Sequence, residues 1–198
     1  MGLYSQWGLW PDGQVYYKNK FPKKELILKG IKHYVDNSSV TFNDVSNDSS
    51  IKNFITIGDF GGPEGIAIPG RPTGEIKLNI KNIGDQKKLY HTITHEISHM
   101  LGMYHMHQAS IRDKFIKVNT QNILGKKDQY DVLKGFGYKI EGDYDFESIT
   151  HYSAFANGNG KKKVIEILDP NNMHYFDKMG TQDNLSDIDI KTLKKMYK

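Results

Sequence analysis

Residues 95–105 read His95-Glu96-Ile97-Ser98-His99-Met100-Leu101-Gly102-Met103-Tyr104-His105, and no other stretch restricts the possible folds so sharply. His95 and His99 are four apart, so on a helix both imidazoles leave one face and can hold a single ion. Gly102 can adopt the left-handed conformation that ends a helix, turning the chain so that His105 returns as a third ligand. Three neutral imidazoles and one open position make a catalytic zinc site rather than a closed structural one. Glu96, beside the first ligand, is placed to hold a water molecule and take its proton. Five fixed positions at about 5% each make a chance match in a chain this long rarer than about one in ten thousand. The alternative that these histidines only satisfy a polar helix face is therefore set aside.

The rest of the chain divides around this helix, which the apolar stripe Ile93, Ile97, Met100, Leu101 and Tyr104 extends from Leu89 to Tyr104. Before it come a strand at Gln14–Tyr17 and a helix from about Lys23 to Val35 with Leu26, Ile27, Ile31 and Tyr34 on one face. Asp36-Asn37-Ser38-Ser39 ends that helix, and β-like pieces follow at Val40–Phe42, Asn53–Ile57 and Glu75–Ile80. Glu75–Ile80 alternates strictly, as a strand with one face on a core does. Gly61 to Gly74 is loop-like. After the long helix the segments are short and rich in Gly, Asn and Asp, until a final helix at Ser186–Tyr197 capped from Asn184-Leu185-Ser186-Asp187. A mixed α/β half and an irregular half thus meet at the motif, where clefts form.

Composition excludes several classes of function. With 198 residues, 37% hydrophobic and 25% charged, the chain is globular and large enough to fold without disulfide staples. No apolar run approaches the ~18–20 residues of a membrane-spanning helix, so no membrane partner is expected. Zero cysteines exclude a disulfide scaffold, a thiolate zinc finger and a cysteine nucleophile. The net charge of +4 rests on dispersed lysines, the longest run being Lys161-Lys162-Lys163, so no nucleic-acid partner is expected. Met1 to Gln6 has neither a basic segment leading into an apolar core nor the myristoylation pattern, so no signal is expected within these residues.

Several stretches together resemble the metzincin zinc endopeptidases and, among them, the astacin family. The motif continues through Met106-His107-Gln108 to Arg112-Asp113-Lys114 and Gln121-Asn122-Ile123. Tyr144-Asp145-Phe146-Glu147-Ser148-Ile149-Thr150-His151-Tyr152 is similar to the family's Y-D-Y-x-S-I-M-H-Y. Leu9-Trp10-Pro11-Asp12-Gly13 resembles its opening, and Leu185-Ser186-Asp187-Ile188-Asp189 its L-S-x-x-D. The resemblance spans nearly the whole chain. It implies an α+β, two-lobed zincin-like fold, with a twisted mixed sheet and two long helices above the cleft and an irregular lobe with a final helix below. It implies one catalytic domain over residues 1–198, with lobes of about 1–102 and 103–198. One zinc ion would sit on His95, His99 and His105, with Glu96 as general base. Tyr152 would be an additional ligand that swings to stabilise the oxyanion. The expected partners are protein or peptide substrates, the expected state a monomer, and the expected location extracellular.

Three departures from the family pattern stand out. Thr150 occupies the methionine position of the Met-turn and brings a hydroxyl that needs a partner. Met106 replaces the glutamate that pairs with a freed N-terminal amine, and the family's disulfides are impossible here. Two other readings stay open. Other metzincin families share the eleven-residue motif but lack the tyrosine two residues after the Met-turn position. A zinc-binding pseudo-peptidase acting as a protein-binding module is the other, with Thr150 and Met106 in its favour. His91 is expected outside the ligand set, His107 and His151 have no assigned task, and Arg71 suits either substrate contact or loop anchoring.

Overall fold

The computed structural model describes residues 2–6, 8–65, 68–135 and 137–198. Ile66 and Ala67 of the expected loop, and Met1 of the opening segment, lie outside the described residues. The first strand, β1 (Gly2–Ser5), joins no part of the main sheet. That sheet is built from β2 (Gln14–Asn19), β3 (Thr41–Asp44), β4 (Phe54–Gly58) and β5 (Glu75–Asn79), in the order β3-β2-β4-β5. Each neighbouring pair is parallel, and an antiparallel bridge from Gly65 to Asn79 adds to the β5 edge.

Parallel neighbours need a long crossover, and α1 (Lys24–Asn37) supplies it between β2 and β3. Its Ile27, Ile31 and Tyr34 are buried, as their one-face spacing predicts. Behind the sheet α1 packs on α2 (Gln86–Met100), and Gly30 sets how closely they approach. A Cβ there would stand 2.9 Å from both Ile93 Cγ2 and Ile97 Cδ1. The glycine costs about 1 kcal/mol of helix propensity and permits this contact. On β5 the alternation holds with one exception. Glu75 and Lys77 are exposed and Leu78 is buried, but Asn79 is buried too, because its amide donates to the carbonyls of Gly62 and Pro63.

Beyond α2 regular structure is sparse. β6 (Ile116–Val118) pairs antiparallel with β8 (Ile165–Ile167), and β7 (Tyr138–Glu141) pairs antiparallel with β1. The closing helix α3 (Asp187–Met196) begins with a capping box, in which Ser186 and Asp189 satisfy each other's backbone N–H groups. Among the described residues no helix is long and apolar enough to cross a membrane.

Two apolar cores result. One holds the sheet, α1, α2 and the buried face of α3; the other holds Met106, Ile116, Tyr144, Phe146 and Ile165. Strand β1 serves both, because successive side chains point to opposite faces. Leu3 lies in the second core and Tyr4 in the first.

Candidate metal centre and active site

The end of α2 is where the site is made. A helix leaves its last four carbonyls without intrahelical partners, and here each is satisfied. Ile97 O accepts from Leu101 N, Ser98 O from Met103 N, and His99 O from Gly102 N and Gly70 N. Met100 O accepts from the indole Nε1 of Trp10 at 2.7 Å. The bonds from Gly102 and Met103 form a Schellman stop, and Gly102 has the positive φ of 94° that such a stop requires. The helix therefore ends at Met100, four residues before the end its apolar stripe predicts. Met103 then bridges Tyr4, and Tyr104 N donates to Leu3 O at 2.8 Å. Strand β1 thus guides the returning chain and brings His105 under His95 and His99.

Three imidazole nitrogens converge. The Nε2 atoms lie 3.1 Å apart for His95 and His99, 3.2 Å for His99 and His105, and 3.3 Å for His95 and His105. Each Nδ1 faces an acceptor: Ile149 O at 2.8 Å, Met103 O at 2.7 Å and Gln108 Oε1 at 3.3 Å, respectively for His95, His99 and His105. Nδ1 therefore carries the proton, and three bare Nε2 lone pairs point at one another. Burial first, then neighbouring imidazoles, hold His95 and His105 well below the ordinary histidine value, and burial lowers His99 as well. All three are neutral at pH 7, the form that ligates. Tetrahedral zinc with Zn–N distances of about 2.0–2.1 Å places its nitrogens about 3.3–3.4 Å apart, close to the spacing found. The donor set fits the ion.

Beside the triad, Glu96 is buried, and its Oε2 has no hydrogen-bond partner. A Cβ built on Gly65 would lie 3.7 Å from both carboxylate oxygens, so on that side a side-chain-free backbone borders them. Burial, and then the charge of Glu64, pushes the Glu96 carboxyl up to about 8. A carboxyl held there can both take and return a proton near neutrality. Glu96 and the triad line a cleft cavity of about 970 Å³, walled further by His91, Lys126, Tyr152 and Asn157.

Tyr152 stands against His105 with ring centroids 4.5 Å apart and stacks on His107 at 4.2 Å. Burial, ahead of Tyr130 and Glu96, raises its phenol above the ordinary value, so it keeps its proton and can donate. Beneath it lies a buried row in which His107 Nε2 donates to Gln129 O and His151 bonds the Tyr144 hydroxyl at 2.7 Å.

Thr150 is fully buried and its hydroxyl lies 3.0 Å from Ser148 Oγ, which itself donates to Asp189 Oδ1. The expected need for a partner is met two residues away. Asp189 also accepts from Ile149 N, the residue whose carbonyl orients His95. Met106 packs in the second core. His91 turns its Nδ1 to Gln182 O and is not among the convergent nitrogens. Sequence reasoning missed Gln108, Ile149 O and Met103 O as the groups that orient the imidazoles. Two of these are backbone atoms, which no residue pattern marks.

Residues 3–198 match the family model described as astacin, a peptidase family. The zinc metalloproteinase nas-7 of Caenorhabditis elegans is 30% identical over 198 residues, covering 96% of this chain and 48% of its own length. The zinc metalloproteinase nas-6 of the same organism is 34% identical over 130 residues, covering 65% of this chain and 36% of its own. The chain thus spans half or less of the length of these relatives. In structure it is similar to high choriolytic enzyme 1, a hatching enzyme zinc-protease from Oryzias latipes. The TM-score is 0.78 at 22% identity, over 96% of this chain and 93% of that one.

Proposed function

Since the chain belongs to the astacin family of peptidases, we propose that it is a secreted, monomeric zinc endopeptidase acting on proteins or peptides, with residues 1–198 as one catalytic domain. The observation that carries this reading is the convergence of three unprotonated Nε2 atoms, 3.1–3.3 Å apart, beside a buried carboxylate oxygen without a partner. A site that only stored metal has no use for that carboxylate, and it disfavours the binding-only alternative. Thr150 and Met106, the two departures in favour of that alternative, go along with three Nε2 atoms that still converge, which supports the catalytic reading.

His95, His99 and His105 would hold the zinc, fixed by the carbonyls of Ile149 and Met103 and by Gln108. When bound, zinc supplies a Lewis acid that lowers the pKa of water toward ~7 and polarises the scissile carbonyl. Glu96 accepts the proton of the attacking water and delivers it to the leaving amine. Tyr152, protonated and facing the same cavity, donates a hydrogen bond to the oxygen that becomes negative. The open cleft is bordered by Pro63, Glu64 and Gly65, the segment that bridges the β5 edge at Asn79, and it admits a peptide in extended form beside that segment.

Glu96→Ala tests the reading. The variant is expected to bind one zinc per chain and to lose peptide cleavage by a factor of at least ~100. Undiminished cleavage by a zinc-loaded Glu96→Ala chain would sink the assignment.

A further inference from the structure

Beside the cleft, across Tyr104, lies a second hollow of about 390 Å³, lined by Ser5, Ile68, Pro69, Arg71, Tyr104 and Tyr138, among others. Pro69 and Tyr104 line both spaces, so the hollow adjoins the cleft. Parts of its wall are bonded to one another. Ser5 and Tyr138 are paired across β1 and β7, and Tyr104 is bonded to the same strand through Leu3 O. The rings of Tyr104 and Tyr138 meet edge to face at 5.2 Å.

Among the described residues of this lining, Arg71 is the one charged side chain. Among the described residues no carboxylate pairs with it. Its backbone is nevertheless tightly placed. Arg71 N donates to Gly8 O at 2.5 Å, and the preceding Gly70 N donates to His99 O at 2.8 Å. The loop that carries the guanidinium is thus tied to the carbonyl of a metal-site residue, which fixes the arginine relative to the cleft. Loop anchoring is done by the main chain and leaves the side chain free to bind something else. An anchored, unpaired guanidinium beside two tyrosine edges and the exposed Ile68 suits a group with an apolar stem and an anionic head.

We propose that this hollow is a substrate subsite for an acidic side chain, Asp or Glu, at a position removed from the scissile bond. The carboxylate meets Arg71, and its methylene stem lies on Ile68 and the tyrosine rings. The inference rests on the endopeptidase reading above. Lys126 lines the main cavity, so any acidic preference it creates belongs to a different position of the substrate.

The test moves a single Glu, or its Gln counterpart, through every position of a cleavable peptide. The zinc-loaded chain and its Arg71→Ala and Arg71→Lys variants are then compared. The readout is the ratio of kcat/KM for Glu over Gln within each variant, so a general loss of activity cancels. A ratio of about three to ten is expected at one position beyond the residues flanking the cut, falling as salt is raised. Arg71→Ala should bring that ratio to about one, and Arg71→Lys should keep part of it. Equal ratios in the parent chain and Arg71→Ala, or no preference at any such position, overturn the subsite. Should the zinc-loaded parent cut no peptide, the endopeptidase reading fails instead. Binding of the same peptide pairs to the Glu96→Gln chain, followed by fluorescence anisotropy, then decides the subsite by the same ratio.

Discussion

Replacing Gly102 with alanine isolates what the turn after α2 contributes. A Cβ at this position would find Leu9 Cδ2 at 3.4 Å, Met196 Cε at 3.7 Å and Gly70 Cα at 3.8 Å, all ordinary contacts. Crowding therefore contributes little, and the cost lies in the backbone. A φ of 94° is one that L-residues rarely hold, at about 1–3 kcal/mol of strain. Against this, alanine loses about 0.4–1 kcal/mol less chain entropy on folding, which leaves a net destabilisation of roughly 1–2 kcal/mol. That cost has two possible outlets. If the turn keeps its shape, the whole effect appears as lower stability. If the turn relaxes, His105 moves and zinc affinity falls tenfold for every ~1.4 kcal/mol released. Ser5 N on Gly102 O, Gly70 N on His99 O and Tyr104 N on Leu3 O hold the turn from outside. Gly102→Ala should therefore lose roughly 1–2 kcal/mol in urea unfolding while its zinc Kd, measured by chelator competition, shifts less than about threefold. A variant matching the parent in both stability and zinc affinity would refute the claim that this turn requires glycine.

Tyr152→Phe keeps the stack on His107 and removes only the hydroxyl. Its kcat is expected to drop by about 10²–10³ with zinc retained, and a kcat within twofold of the parent would remove Tyr152 from the mechanism. For Asp189, burial and then the charge of Asp145 raise the carboxyl to about 6, against about 3.9 in an unfolded chain. Its contribution is therefore fully present below pH ~4 and is lost as pH rises through ~6. The stability of the parent relative to Asp189→Asn should fall by about 2–3 kcal/mol between pH 4 and 7, and a flat difference in urea titrations would contradict the burial argument. Zinc is expected to slow amide exchange across α3, although none of that helix's residues is a ligand; protection confined to α2 and residues 103–105 would argue against coupling through Asp189.

Legibility followed the length over which a pattern repeats. Both long helices and strands β2 to β5 carry enough residues for a period to show, and each was predicted to within a few residues of its observed ends. The overrun of α2 has a specific cause: Leu101, Met103 and Tyr104 remain apolar after the helix stops, because the turned chain still runs through the two cores. Strands β6 and β8 have three residues each, too few for an alternation, and they pair across 49 positions of sequence. The isolated run Gly2–Ser5 gave no hint of β1, whose partner β7 lies more than 130 residues away. At the site, side-chain identities were readable because chemistry restricts them. The acceptors behind the imidazoles were not, since any residue has a carbonyl and only the fold decides which one arrives.

Without cysteines, the chain's ends must be held by other means, and the bonds around α2 show how. Trp10 Nε1 reaches Met100 O from near one end of the chain, and Tyr197 Oη reaches Leu101 O at 2.7 Å from the other. Each carbonyl is buried, so parting either contact leaves an unsatisfied acceptor at about 1–3 kcal/mol. The same helix carries His95 and His99, and α3, from which Tyr197 follows, holds Ile149 through Asp189 and thereby the carbonyl on His95. Strand β1 closes the circuit by packing Leu3 and Tyr4 into different cores while guiding residues 103–105. Two of the three acceptors that orient the imidazoles, the carbonyls of Ile149 and Met103, thus sit on segments held by α3 and β1, the elements near the chain's two ends. An ion bound at Nε2 of all three imidazoles would stabilise that whole set at once, so on the proposed reading zinc binding energy would count as folding energy in a chain with no covalent cross-link to share the task.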